Sequence, residues 1–289
     1  MVIDNRLTGF RTNLSHQQDN EKLRIVDGDI RDNSVLLKLT SGCDAVFHLA
    51  AHALMRASLI DRRADLDYNL VGTLNVLEAM LENKVHDFIF ASTSALYGEA
   101  SVTPTPETYF GTQTSLYGAA KLGCEAFAEA YTQLSDMKMW AFRFGTVLGE
   151  RCRRGAIWDF VEKLNENPSE LEILGDGKQK KDYLYVQDCV NGIITGYEKS
   201  CDTSNIFNIA LQELTSVDSV ADLVIRGMGL PGVRKKYTGG SRGWIGDNPV
   251  VHLDVSKLKS VGWEPQFSAE QTLQRTVQWT IANRFKKVE

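Results

Sequence analysis

The sequence predicts an α/β fold built on a doubly wound parallel sheet, and three observations carry the prediction. Residues 44–51 and 87–92 are short apolar runs of the kind that strands adopt when both faces of a sheet are covered. Between them, residues 66–81 repeat leucine with helical spacing, at Leu70, Leu74, Leu77 and Leu81. A further helical stretch around residues 117–121 then leads into the apolar run 137–148. Strand, helix and strand in alternation require parallel strands with crossover helices.

The second half is less regular and predicts a smaller lobe over the carboxyl edge of the sheet, where open α/β sheets bind ligands. Helices are expected at residues 157–164, 186–197, 217–228 and 269–283, and a strand at 206–210. The turn signals Asn165–Pro168 and Gly175–Gly177 separate them. No Pro- or Ser-rich linker divides the chain. The expected division is therefore a sheet core over residues 1–150 and a lobe over 151–289, with some lobe segments returning to the core.

Composition narrows the class. The chain has 289 residues, 43% of them hydrophobic and 24% charged, as in ordinary soluble domains. A net charge of −5 gives no general attraction to nucleic acid or to an anionic membrane. No apolar run reaches the ~18 residues of a membrane span, and the first residues lack a signal-peptide core. A cytoplasmic location is expected. The 5 cysteines form no C-x-x-C pair, and His48 and His52, which come closest to a ligand pair, follow a predicted strand rather than lying on one helix, so no metal site is expected.

The most informative motif is Tyr117-Gly-Ala-Ala-Lys121. Residues at i and i+4 share a helix face, so phenol and ammonium can act on one bound molecule. Tyrosine ordinarily ionises near pH ~10, and lowering that to about 7 takes ~4 kcal/mol. Lys121 is placed to supply part of this as a nearby positive charge.

Several motifs in a fixed order together resemble the extended short-chain dehydrogenase/reductase family, especially its sugar-nucleotide epimerases. They are Val2-Ile-Asp4-Asn5, Gly28-Asp29-Ile30, Phe47-His48-Leu49-Ala50-Ala51, Asn69 before Gly72-Thr73, Ala91-Ser92-Thr93-Ser94-Ala95-Leu96-Tyr97-Gly98 and the Tyr-x-x-x-Lys motif. The likeness spans residue 2 to about residue 279. It implies NAD as cofactor and a Rossmann-like core. Asp4 and Asn5 would meet the adenosine ribose, with Asp4 favouring NAD over NADP. Asp29 and Ile30 would hold the adenine, while Leu49, Ala50, Ala51 and Ser92 would line the cofactor. Asn69 would reach the cofactor and tether the neighbouring strand.

The same likeness makes Thr93, Tyr117 and Lys121 the catalytic residues. Thr93 would hold the substrate oxygen that Tyr117 deprotonates, and Lys121 would also hold the nicotinamide ribose. Related dehydratases carry Asp-Glu after the threonine, where this chain has Ser94-Ala95. That departure favours epimerisation over elimination. The segment 175–188 resembles a substrate-side hairpin, with Lys181 where an arginine usually contacts the nucleotide diphosphate. Thr146 stands in place of an asparagine, and Arg242 with Asp247 resembles a second phosphate- and ribose-binding pair at altered spacing.

The implied activity is UDP-hexose 4-epimerisation through a 4-keto intermediate. The alternatives are a nucleotide-sugar dehydrogenase or reductase, or an inactive nucleotide-sugar-binding relative. A homodimer through paired helices fits the family. The family also opens on a strand and a Gly-x-x-Gly-x-x-Gly turn that holds the cofactor pyrophosphate. This chain starts at the counterpart of the second strand. A core lacking its first strand and helix is therefore expected, with an unpaired place in the sheet that favours low stability or oligomerisation.

Overall fold

The computed structural model describes residues 1–54 and 56–284; residues 55 and 285–289, in the expected core and lobe respectively, lie outside it. The strands in chain order are β1 (Val2–Asp4), β2 (Ile25–Asp27), β3 (Ala45–His48), β4 (Asp87–Thr93), β5 (Lys138–Phe144), β6 (Thr146–Leu148), β7 (Glu170–Ile173), β8 (Lys180–Tyr185), β9 (Ser204–Ile209), β10 (Leu214–Ser216), β11 (Arg234–Tyr237) and β12 (Val250–Val251). The helices are α1 (Asn33–Thr40), α2 (Gly72–Glu82), α3 (Leu116–Leu134), α4 (Ala156–Glu166), α5 (Val186–Lys199), α6 (Val217–Gly227), α7 (Ser256–Ser260) and α8 (Ala269–Asn283).

The main sheet has the order β3-β4-β5-β9, all parallel. Its strands are apolar on both faces because both are covered. Phe88, Phe90, Met139 and Ala141 pack with Leu77, Met80 and Ala128 from the helices on one side. The intervening Ile89, Trp140 and Phe142 pack with Phe207, Leu258 and Trp263 on the other. Alternation of side chains along each strand thus feeds two cores at once. A third cluster, with Ile157, Phe160, Leu171, Val220 and Val277, supports the lobe strands and helices.

β1 and β2 form a separate parallel pair, with Val2 opposite Ile25 and Asp4 opposite Asp27. Among the described residues no strand joins β1 to β3, so each presents an unpaired edge. The pair still leans on the common core, where Ile3 and Ile30 pack against the cluster containing Leu36 and Val76.

Three details differ from the sequence reading. The helical stretch opens as a π-helical segment, Asp65–Val71, before α2 begins. The short α1 was not foreseen; Asp32 caps it by accepting from the amides of Ser34 and Val35. The segment 175–188 is no hairpin. β7 pairs with β11, while β8 pairs with β6, β10 and β12, so the turn at 175–179 connects two different sheets.

Candidate active site

α3 begins where Ser115 accepts a hydrogen bond from the amide of Gly118, a 3.0 Å cap that fixes the first turn beside Tyr117. Gly118 allows this turn to approach the end of β4, since a Cβ there would lie 2.7 Å from the carbonyl oxygen of Ala95. β4 ends at Thr93, whose Oγ1 accepts from the amide of Ala95 at 3.1 Å. The Thr93 hydroxyl acts on the Tyr117 phenol and favours its ionised form. The structure thereby brings together the catalytic pair inferred from sequence.

Desolvation pushes the Tyr117 phenol up to about 12. The positive charge of Arg154 and the Thr93 hydroxyl pull it down, while Asp65 and Cys124 push it further up. Arg154 lies exposed in the loop between β6 and α4, which the sequence reading did not single out. Lys121 is almost wholly buried, with Nζ 2.7 Å from the carbonyl oxygen of Ala91 and 4.3 Å from the centre of the Phe90 ring. Burial lowers its pKa to about 8, opposed by Cys124 and Glu125. It also shares in holding His48, buried beside Thr73, down at about 3, although burial is the larger cause.

Behind this corner lies a buried polar network that the sequence reading missed. Arg143 Nη2 is 2.6 Å from Glu125 Oε2, its Nε is 3.1 Å from both Glu125 oxygens, and its Nη1 donates to the Tyr97 hydroxyl at 2.8 Å. Tyr97 donates to Asn208 at 2.6 Å, reaching β9. Ser92 also donates to Glu125. This corrects the expected cofactor role of its side chain: the hydroxyl is turned into the core, where a buried carboxylate requires donors. The available signal was Glu125 one turn beyond Lys121, but its partner lies on another strand.

Asn69 tethers the loop that follows β3. Its Oδ1 accepts from the amide of His52 at 2.8 Å, and its Nδ2 donates to the carbonyl oxygen of His52 at 3.0 Å. Asp65 Oδ1 is 2.9 Å from His52 Nδ1, whereas its buried Oδ2 has no partner among the described residues.

The residues assigned to the cofactor lie at the carboxyl ends of β1, β2 and β3. Asp4 is exposed and accepts from the amide of Arg6 at 2.6 Å. Asn5 donates to Asp29 at 2.8 Å, and Asp29 receives Arg31 at 3.0 and 2.8 Å, which hold its carboxyl well below the usual range. Ile30 packs against α2 at Gly72, where a Cβ would meet its Cδ1 at 2.5 Å. Leu49 and Ala50 are exposed and Ala51 half-buried. The donor set fits NAD at two points: Asp4 offers acceptors for ribose hydroxyls, and Lys121 directs one of its three N–H donors to the Ala91 carbonyl.

The assigned substrate residues are rearranged. Lys181 Nζ is 2.9 Å from Asp247 Oδ1 and also meets the carbonyl oxygen of Asn248. Arg242 pairs with Glu99 rather than standing with Asp247. The structure therefore joins Lys181 to Asp247, while Arg242 is held separately by Glu99. Thr146 lies opposite Tyr183 in the β6–β8 ladder.

Comparison with known proteins agrees with this geometry. The model of the NAD dependent epimerase/dehydratase family matches residues 1–210. A putative UDP-glucose 4-epimerase of Methanocaldococcus jannaschii is 30% identical, over 98% of this chain and 90% of its own length. A UDP-glucuronate 4-epimerase of Thermodesulfobacterium geofontis is 31% identical, covering 93% and 83%. The solved UDP-glucose 4-epimerase of Thermotoga maritima, with UDP-glucose, superposes with a TM-score of 0.87 at 31% identity, covering 98% and 91%. With the family model matched over residues 1–210 and relatives at 30% identity or more across nearly the whole chain, the chain belongs to the NAD-dependent epimerase/dehydratase family.

Proposed function

We propose that the protein epimerises a UDP-linked hexose at C4 with NAD as a recycled cofactor. The observation that carries this reading is the Thr93 hydroxyl acting on the Tyr117 phenol one turn from buried Lys121, with Ser94-Ala95 where an eliminating enzyme needs a carboxylate. NAD, when bound, supplies the hydride acceptor for C4 and returns the hydride to the resulting ketone.

Thr93 holds the sugar 4-oxygen and Tyr117 takes its proton. Tyr117 needs help to do so, because in the protein alone its phenol lies up at about 12. Cations at the site lower that value, and water exclusion strengthens their effect. Lys121 holds its place through the Ala91 carbonyl and directs its remaining donors at ribose hydroxyls. After the ketone turns over, Tyr117 returns the proton. Asp4, Asn5, Asp29, Ile30, Leu49, Ala50, Ala51 and Asn69 serve the cofactor. Lys181, Thr146 and Arg242 serve the nucleotide diphosphate and Asp247 the ribose, once the Lys181–Asp247 and Arg242–Glu99 ion pairs open.

The test is incubation with NAD and UDP-glucose or UDP-galactose, with the sugars resolved by chromatography and NADH followed by fluorescence. Interconversion without accumulating NADH supports epimerisation. Stoichiometric NADH would identify a dehydrogenase, and binding of the sugar nucleotide without NAD binding would identify an inactive relative.

The apolar side chains of Leu81, Leu116, Phe127 and Leu134, exposed on α2 and α3, support a homodimer through these helices. Light scattering that finds only monomer at working concentration would remove that part of the proposal.

A further inference from the structure

The ladder between β3 and β4 stops at Phe90, and among the described residues only β5 accompanies β4 on to Thr93. The second hold on the end of β4 comes from α3. Tyr117, Lys121 and Glu125 are spaced by four, so they lie along one face of that helix. Lys121 Nζ donates to the carbonyl oxygen of Ala91 at 2.7 Å, and the Ser92 hydroxyl donates to Glu125 Oε1. The helix thus grips the two strand residues that immediately precede Thr93.

Ser92 is buried and Thr93 half-buried, because successive side chains of an extended strand point to opposite faces. Holding the Ser92 hydroxyl inward therefore fixes the direction in which the Thr93 hydroxyl leaves the strand. Glu125 can serve as the fixed end because Arg143 of β5 clamps it, with Nη2 2.6 Å from Oε2 and Nε 3.1 Å from both oxygens. The same guanidinium donates through Nη1 to the Tyr97 hydroxyl at 2.8 Å and to the carbonyl oxygen of Glu107 at 2.7 Å. Tyr97 closes the helical turn Ser94–Tyr97 that follows Thr93. One buried ion pair therefore pins the chain on both sides of Thr93, at Ser92 through Glu125 and at Tyr97 through Arg143.

We propose that Glu125 is a positioning residue, which through Ser92 sets the direction of the Thr93 hydroxyl relative to the Tyr117 phenol, so that both meet one substrate oxygen. This assignment rests on the epimerase reading above and deepens it. Glu125 is 3% exposed, so it acts through Ser92 and not on the bound sugar. Misplacing a reacting group by about 1 Å costs up to ~10²-fold in rate. A hydrogen bond that only stabilises the fold would leave the Thr93 hydroxyl where it is, and its loss would add independently to the loss of that hydroxyl.

The test is Ser92→Ala, which removes the link while both Glu125 oxygens keep Arg143, made in the wild-type protein and in Thr93→Val. Turnover of UDP-glucose or UDP-galactose with NAD is followed by chromatography. The expected result is a fall in kcat of about tenfold with KM changed less than about twofold. In Thr93→Val the same replacement should cost less than about twofold, because no hydroxyl is left to position. A second readout needs no turnover. With tyrosine labelled by carbon-13 at Cζ, the Tyr117 resonance is identified by its loss in Tyr117→Phe. Thr93→Val should move that resonance, and Ser92→Ala should move it in the same direction. An unchanged kcat in Ser92→Ala, equal losses in both backgrounds, or a Tyr117 resonance that either variant leaves at its wild-type place would each overturn the assignment while leaving the epimerase reading standing. A wild-type protein without turnover would overturn that reading, and the Tyr117 resonance then decides the assignment by itself.

Discussion

The corner made by β4, α3 and β5 and the edge made by β1 and β2 serve opposite ends of the same proposed cofactor, yet they are built in opposite ways. In the corner, Lys121, Glu125 and Arg143 are buried, and β4 and β5 are covered on both faces. At the edge, none of the six residues of β1 and β2 is buried, and the ion pairs of Asp27 with Arg6 and Arg11 are exposed. Such surface pairs contribute about 1 kcal/mol at most. The chemistry is therefore preorganised by the fold, whereas the adenosine side depends on what binds there.

The sharpest test of the corner is Tyr117→Phe. Removing the phenolic base is expected to reduce turnover by 10³- to 10⁴-fold with sugar-nucleotide binding retained, read by chromatography and calorimetry. A loss below tenfold would mean that another group takes the proton. Glu125→Gln comes next. It leaves Arg143 buried without its counter-charge, for an expected destabilisation of about 3–5 kcal/mol in denaturant melts. The double replacement Glu125→Leu with Arg143→Met should recover much of that stability. If the single variant melts like the wild type, the corner is not held by this pair.

A smaller effect belongs to Asp182 on β8, between corner and lobe. It is fully buried, and Gly145 leaves the room for it, since a Cβ there would lie 2.2 Å from Oδ1. Neither carboxyl oxygen has a well-formed hydrogen bond; the amides of Leu253 and Thr146 exert only a weaker pull. Burial raises its pKa from 3.8 to about 7. The folded chain therefore holds this proton more tightly than the unfolded one. The resulting stability is complete below pH 3.8 and is lost as pH rises to about 7. Asp182→Asn should flatten that dependence, gaining about 2 kcal/mol on the wild type between pH 5 and pH 8. A wild-type melting profile without this slope would show the carboxyl to be better solvated than its surroundings indicate.

The same contrast explains what was legible in the sequence. The corner strands announce themselves because residues 87–93 and 138–144 must be apolar on both faces, and Tyr117 and Lys121 share a helical turn. Glu125 and Arg143 did not show, because their pairing depends on the register of α3 against β5, which no local pattern encodes. The lobe strands β7 and β8 read as one hairpin because a Gly-Asp-Gly turn separates them. Their partners lie about 30–70 residues away in sequence, on β11, β6, β10 and β12.

The smallest predicted effect bears on the edge itself. Ile3 on β1 is half-buried against the cluster that includes Leu36 and Val76, so Ile3→Ala should cost about 1 kcal/mol, less than a fully buried truncation. The cost should be local. β1 pairs only with β2, and its other edge has no strand partner among the described residues, so this pair can open without disturbing β4 or β5. In native-state amide exchange, β1 and β2 should open at lower free energy than β4 and β5, and Ile3→Ala should widen that gap. NAD at about 100 times its Kd should raise protection at the edge by up to ~2.7 kcal/mol, if opening there releases the cofactor. Equal protection of edge and corner without cofactor would show that the unpaired strand edge is stabilised by something other than the ligand, and the contrast between the two regions would fall.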